Sequence, residues 1–174
     1  MSADLGLLLL RLTVGLLIAG HGAQKLFGWF GGHGLAGTAG WLGSMGLRPA
    51  ALWAFMAAIS EFGGGVLLAL GLLNPLGSLG VMAAMLMAIS MVHWRNGVWA
   101  AQAGIEFPLT NAVVALTLAL AGPGAYSLDA ALNLALPEPA TLIVGVILVS
   151  LGIISALLSR PRQRVTTGAA GRAG

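Results

Sequence analysis

The sequence predicts an all-α fold, a polytopic bundle of membrane-spanning helices, and three observations predict it. Hydrophobic residues make up 58% of the chain and charged residues only 7%, whereas soluble globular domains are roughly 25% charged. Helix-breaking pairs such as Asn74-Pro75 separate the apolar stretches from one another. Five such stretches can be drawn: residues 5–26, 52–73, 76–92, 107–121 and 140–158.

Composition also excludes several classes of protein. The chain has no cysteine, which excludes disulfides, thiolate metal sites, iron–sulfur clusters and covalently attached haem. The net charge of +3 comes from basic residues scattered among apolar segments, so we expect no nucleic-acid partner. Residues 5–26 are too long for a signal peptide, and the residues before them include Asp4 but no basic residue. The expected partner is the lipid bilayer.

The first segment carries three basic residues into the membrane: Arg11, His21 and Lys25. At about 100° per residue, Arg11 and Lys25 lie on one helix face with His21 at its edge. An arginine facing lipid would cost at least ~2.5 kcal/mol, which favours a face turned towards protein or water. The alternative is that Arg11 and Lys25 extend to the two interfaces while His21 packs as a satisfied histidine.

The second segment places Glu61 near mid-membrane, followed by Gly63-Gly64-Gly65. A buried glutamate is either neutral and hydrogen-bonded or paired with a cation such as Arg11. The glycines either allow close approach of a neighbouring helix or leave room for a flat ligand. An ionisable residue at this depth is by default a functional-site hypothesis.

Polar residues also collect where the third segment ends and the fourth begins. In an antiparallel bundle His93, Arg95 and Glu106 lie on the same side of the membrane as His21 and Lys25. Two histidines could ligate a b-type haem or a metal, but their spacing is no recognised metal signature. Ion pairs and helix caps are the commoner explanation, so no metal site is predicted and haem through His21 and His93 is not favoured.

The connection between the first two segments repeats glycine at every third position. The repeat is far too short for collagen, so it predicts an interfacial helix over about residues 35–45, with Trp29 and Trp41 at headgroup level. In the loop after the fourth segment, Ser127 or Asp129 is a candidate helix cap.

Basic residues predict the orientation of the chain. If all five segments cross, seven of the eight basic residues fall on one side; if residues 107–121 do not cross, this parity fails. The positive-inside rule places that side in the cytoplasm together with the C-terminus. The seven residues are Lys25, Arg48, Arg95, Arg160, Arg162, Arg164 and Arg172. The segment 160–174 is expected to be a basic disordered tail.

Taken together, several short motifs resemble the DoxX family of bacterial integral membrane proteins. The resemblance covers about residues 5–135 and implies a four-helix unit. It divides the chain into a DoxX-like four-helix domain at 1–136, an additional fifth C-terminal transmembrane helix at 137–159 and the tail at 160–174. The motifs are Arg11-x3-Gly15, His21-Gly22-x2-Lys25-Leu26-x-Gly28, Glu61-x-Gly63-Gly64, Gly104-x-Glu106 and Gly122-Pro123-Gly124-x2-Ser127-x-Asp129.

The resemblance implies electron transfer through quinone, because family members include a subunit of archaeal thiosulfate:quinone oxidoreductase and proteins linked to quinone detoxification or oxidative stress. We therefore expect a quinone-linked membrane subunit of an oxidoreductase or redox-stress system in the inner membrane, with protein partners. In this hypothesis the catalytic, proton-exchanging residues are Glu61 and His21. The ligand-binding residues are Arg11, Lys25, Gly63, Gly64, His93 and Glu106.

Two other classes of function stay open at this point. The chain could be a non-catalytic membrane scaffold or assembly subunit whose buried polar residues fix helix packing. It could also be a small-solute or proton transporter, since intramembrane ionisable residues line such routes. Small-residue faces leave open whether copies of the chain form a homo-oligomer.

Overall fold

The computed structural model describes residues 2–160, and the secondary structure of this part of the chain is all helical, with no strand. The predicted all-α membrane bundle is therefore confirmed. Beyond Arg160, the predicted basic tail lies outside the described residues. The helices are α1 (Ser2–Leu26), α2 (Gly34–Ser44), α3 (Ala50–Leu70), α4 (Leu76–Ala88), α5 (Glu106–Ala121), α6 (Leu128–Leu132) and α7 (Ala140–Leu158).

In the part of the chain that the structure describes, four helices are long and apolar enough to cross a membrane: α1, α3, α7 and α4 with the turns that continue it. A π-helical turn, Ile89–His93, and a 3-10 turn, Trp94–Asn96, carry α4 to Asn96. The remaining segment, α5, has only 16 residues, about 24 Å of helix. It nevertheless returns the chain to the end where α1 begins, because the loop after it binds α1: Ala125 N–H donates to Asp4 at 2.9 Å.

The two ends of the bundle differ in charge. The acidic end, defined by Asp4, Asp129 and Glu138, holds the start of α1, the α3–α4 turn and the loop after α5. The opposite, basic end is defined by Arg48, Arg95 and Arg160 and holds the α2–α3 connection and the end of α7. There the Nε of Arg160 donates to the Met45 carbonyl at 3.1 Å.

Small residues set the distance between the central helices. A Cβ on Gly65 would lie 2.5 Å from the backbone nitrogen of Ala19 in α1, and one on Gly64 would lie 3.0 Å from that of Val81 in α4. Gly64 and Gly65 therefore let α1 and α4 approach α3 from two sides. Gly63 is different, since the nearest atom to its Cβ position belongs to Ile59, 3.9 Å away. The Gly63-Gly64-Gly65 triplet was expected either to allow close helix packing or to leave room for a flat ligand. Close packing is the explanation that holds at Gly64 and Gly65.

Helices α2 and α7 lie at the periphery of the bundle. A helix is found where one was predicted over about residues 35–45: this is α2, which buries Thr38 and Leu42. The last helix, α7, packs on α4, where Gly145 leaves no room for a Cβ beside Leu79. Ala156 is the residue that α7 buries. Most other side chains of α7 are exposed, as expected for a helix bordered by lipid.

Replacing Gly65 with alanine is expected to destabilise the bundle. The added methyl would force α1 and α3 apart, which we expect to lower the free energy of unfolding by about 1–3 kcal/mol. Gly63→Ala is the matched control, because its methyl makes only an ordinary van der Waals contact with Ile59 and alanine favours helix by up to about 1 kcal/mol. Thermal unfolding in detergent measures both, and equal melting temperatures for the two variants would contradict this packing.

Candidate functional site

The centre of the bundle contains an ion pair between α1 and α3. The last turn of α1 brings Lys25 beside Glu61, and Lys25 Nζ donates to Glu61 Oε2. The side chains are 26% and 6% exposed respectively. A carboxylate at this depth needs such a partner, because hydrocarbon cannot solvate its charge. Of the two states expected for Glu61, the structure shows the paired one, with Lys25 in place of Arg11.

This ion pair lies on the wall of a large apolar cavity. The cavity has a volume of about 490 Å³, within the range of about 300–1,000 Å³ typical of small-molecule sites. Ser60 and His93 add polar groups to a wall that is otherwise largely apolar. Its larger lining side chains include Trp41, Leu47, Trp53, Met56, Leu76, Leu79, Met87, Met91, Leu148 and Ile153.

Helical periodicity brings these side chains to one place. On α4 the lining positions recur three or four residues apart, from Leu76 through Leu79 and Ala83 to Met87, so one face of the helix borders the cavity. The same spacing holds on α3 and on α7. Helix α2 and the turn that follows it supply the remaining wall through Trp41, Leu42 and Leu47.

His93 presents a defined hydrogen-bonding group to this cavity. Its Nδ1 lies 2.5 Å from the carbonyl oxygen of Ala103, and because a carbonyl only accepts, Nδ1 must donate. In a neutral ring this leaves Nε2 as an acceptor. The π-helical turn Ile89–His93 and the loop containing Ala103 together fix the orientation of the imidazole.

His21 lies outside the cavity. Its side chain is exposed, with Nδ1 3.2 Å from Gln24 Oε1 and its ring against the edge of Phe107. The structure therefore does not bring His21 and His93 to one cavity, and a haem held between them finds no support in this geometry. Within residues 2–160, no group of three or more His, Asp or Glu residues could hold a metal ion.

Arg11 belongs to a second, separate cluster at the acidic end. Its side chain is 1% exposed, its Nη2 donates to the Tyr126 carbonyl at 2.7 Å, and the Asp129 carboxylate attracts its charge. Gly71, at φ 61°, provides the space, because the guanidinium occupies the position that a side chain there would take. Asp129 in turn accepts from the backbone N–H groups of Leu73 and Asn74 at 2.8 Å each.

Arg11, His21 and Glu61, which were expected to act on one ligand, therefore do not share a pocket. Arg11 and Lys25 do share one face of α1, but they are fourteen positions apart, about 21 Å along the helix axis. Each buried charge turns inward, as expected, but Arg11 and Glu61 meet different partners at different depths. A common face was mistaken for a common site.

The other predicted ligand-binding residues have local roles. Glu106 is exposed, and its Oε2 accepts from the Ala100 N–H at 2.7 Å, which holds the loop before α5. Glu106 and the glycines Gly63 and Gly64 are not among the residues that line the cavity. The expected cap is found at Ser127, whose hydroxyl accepts from Ala130 N–H at 3.1 Å.

Sequence reasoning missed two parts of the site. Asp129 was expected only as a helix cap, although its carboxylate also binds the backbone of the α3–α4 turn and attracts the charge of Arg11. The contribution of α2 and α7 to the cavity was not foreseen either. The feature of the sequence that could have indicated the cavity is a set of tryptophans and methionines on several segments, among them Trp41, Trp53, Met56, Met87 and Met91.

Asp129→Asn is expected to destabilise the acidic end. The new amide NH₂ can no longer accept from a backbone N–H, so one of the N–H groups of Leu73 and Asn74 loses its partner, and we expect a loss of about 1–3 kcal/mol. Glu138→Gln is the control, because Glu138 is exposed and accepts only a long bond of 3.4 Å from Asn74. Chemical unfolding of both variants in detergent tests this, and an equally small loss for both would refute the role of Asp129 in holding the α3–α4 turn.

Comparison with known proteins assigns the chain to a family. No curated protein and no solved structure matches it. The DoxX family model matches residues 6–94, which is just over half of the 174 residues. The matched region includes Arg11, Lys25, Glu61 and His93, and it ends before α5 and α7. With its long apolar helices, this chain is an integral membrane protein that belongs to the DoxX family.

Proposed function

We propose that this protein holds a quinone-like lipophilic ligand in the cavity beside Lys25 and Glu61, as the membrane subunit of a quinone-linked oxidoreductase or redox-stress system. The observation that carries the proposal is an apolar cavity of about 490 Å³ with an ion pair on its wall. Such a combination of apolar walls and few polar groups is typical of small-molecule sites.

The polar groups suit both the oxidised form of such a ligand, which carries carbonyls, and the reduced form, which carries hydroxyls. Lys25 has three N–H donors and uses one of them on Glu61, so another is available for a ligand carbonyl. His93 Nε2, as an acceptor, can bind a ligand hydroxyl. Glu61 holds Lys25 in place and is the group that would exchange a proton with the ligand. In this proposal His93 replaces His21, which lies outside the cavity.

The apolar walls suit a flat ring. Trp41 and Trp53 supply aromatic surfaces, while Met56, Met87 and Met91 supply flexible thioethers that adapt to irregular shapes. Gly152 adds open space, since nothing lies within 4 Å of the position that its Cβ would take. A ring could therefore lie between α3 and α7 without displacing a helix.

The second candidate is a non-catalytic scaffold, and the acidic end favours it. Arg11, Tyr126 and Asp129 form a cluster that ties α1 to the loop after α5 without requiring any ligand. Transport gains less support, because Arg11 and the Lys25–Glu61 pair belong to separate clusters.

The distribution of charge supports an orientation within this proposal. With Arg48, Arg95 and Arg160 at one end, the positive-inside rule places that end in the cytoplasm and the acidic end outside. The proposed location is the bacterial inner membrane, with the C-terminus on the cytoplasmic side. Partner proteins of a redox complex would supply or remove the electrons that the ligand carries.

Filling the cavity is expected to weaken ligand binding. Gly152→Leu places an isobutyl group in open space, so the helix should fold while the cavity shrinks. We expect at least tenfold weaker binding of a benzoquinone with a ten-carbon chain, measured by quenching of tryptophan fluorescence. Gly20→Leu on α1 is the control, because it also meets open space but lies away from the cavity. Equal affinities of the two variants would count against this cavity as the site.

Neutralising Glu61 separates the two candidate functions. Glu61→Gln leaves Lys25 without its counter-charge, and we expect at least tenfold weaker binding of the same quinone. His21→Ala, outside the cavity, should change the affinity less than twofold. If the native protein binds no quinone and Glu61→Gln only lowers the melting temperature, the scaffold is the correct function.

A further inference from the structure

Helix α7 is attached to the bundle unevenly. At the basic end Ala156 is fully buried in a cluster with Leu42, Leu47 and Ala54. Along its length α7 packs on α4, but it has no comparable packing against α3. Both α3 and α7 line the cavity, so the cavity lies where these two helices are not closely packed on one another.

The lining residues show where the cavity narrows to a groove. On α3 they stop at Glu61, whereas on α4 they continue to Leu76 and on α7 to Gly145. Since α4 packs antiparallel to α3, with Gly80 beside Ser60 and Gly64, Glu61 lies near the level of Ala83. Towards the acidic end from that level, α4 and α7 alone form the walls over about seven residues, or roughly 10 Å.

This groove is apolar and borders lipid. Leu76, Leu79 and Leu148 line it, and Leu148 is 63% exposed although it also faces the cavity. Such walls offer a hydrocarbon chain the same surroundings as the bilayer, so a chain can pass between them without desolvating any polar group. The polar part of the wall, with Lys25 and Glu61, lies at the inner end of this path.

The charges indicate the class of headgroup. Lys25 and Glu61 neutralise each other within the wall, and Arg48 and Arg95 do not line the cavity. An anionic or cationic head would therefore enter a low-dielectric site without a free counter-ion, at a large cost. An uncharged head that donates and accepts hydrogen bonds meets no such penalty.

From these observations we infer that the ligand is a lipid with an uncharged hydrogen-bonding head and one long chain, and that the chain lies along the groove lined by α4 and α7 and leaves towards the bilayer past Leu148, on the side where α3 and α7 are not closely packed. The inference rests on the proposed function and extends it, because it makes α7, outside the matched family region, a part of the site.

A photoreactive ligand tests the position of the chain. The probe is a benzoquinone with a ten-carbon chain and a diazirine at mid-chain, added to the purified protein in lipid nanodiscs. We expect adducts, mapped by mass spectrometry, at Leu76, Leu79, Gly145 or Leu148, and we expect excess unlabelled long-chain quinone to remove them. Adducts confined to the outer face of α7, for example at Ile147 and Leu151, and insensitive to competitor would overturn the inference.

Chain-length dependence is the second measurement. Leu148→Trp obstructs the groove, and we expect at least fivefold weaker binding of the long-chain quinone with less than a twofold change for the same ring carrying only a methyl group. Ile147→Trp is the matched control, because Ile147 immediately precedes Leu148 on the same helix, is 52% exposed and does not line the cavity.

The outcomes distinguish this inference from the proposed function. If long-chain and chainless quinones bind native protein equally and Leu148→Trp affects neither, the chain does not use the groove, while the quinone site stands. If neither quinone binds the native protein at all, the proposed function fails and the inference fails with it.

Discussion

The inability of hydrocarbon to solvate charge is the constraint on which the rest of this structure depends. Arg11 and Glu61 are both almost fully buried, yet each has a partner brought by another part of the chain. Glu61 takes a lysine from α1, and Arg11 takes a carbonyl and a nearby carboxylate from the loop after α5. These two clusters tie α1 to its neighbours at two depths, about 21 Å apart along the helix, and therefore fix its register against α3.

Close packing of small residues makes those pairings geometrically feasible. Gly65 and Gly15 bring α1 and α3 together, so that Lys25 at the end of one helix reaches Glu61 in the middle of the other. Gly64 does the same for α4 on the opposite side. The tight three-helix core contrasts with the loosely attached α7, and the cavity lies between these two parts of the molecule. Rigid packing on one side and sparse packing on the other is what leaves volume for a ligand.

Much of the fold could be predicted because bilayer thickness constrains helix length and prolines mark the turns. The inward orientation of Arg11 and Glu61 followed from the same physics. Their partners could not be predicted, because helical periodicity gives the angle of a residue around the axis but not which distant loop meets it. Asp129 is separated from Arg11 by most of the chain. The cavity walls on α2 and α7 were equally hidden, since apolar residues facing a cavity and apolar residues facing lipid have the same composition.

The parallel course of α7 along α4 has a consequence for kinetics. In a bundle without this helix, the cavity beside the Lys25–Glu61 pair would be open to lipid acyl chains along its whole length. A bound molecule could then exchange with neighbouring lipid as fast as lateral diffusion allows. With α7 held at the basic end by Ala156 and by the Arg160 contact to Met45, a molecule bound as proposed would have to pass between helices to leave. The C-terminal helix would then set the residence time of the proposed ligand, and the first two spans its chemistry.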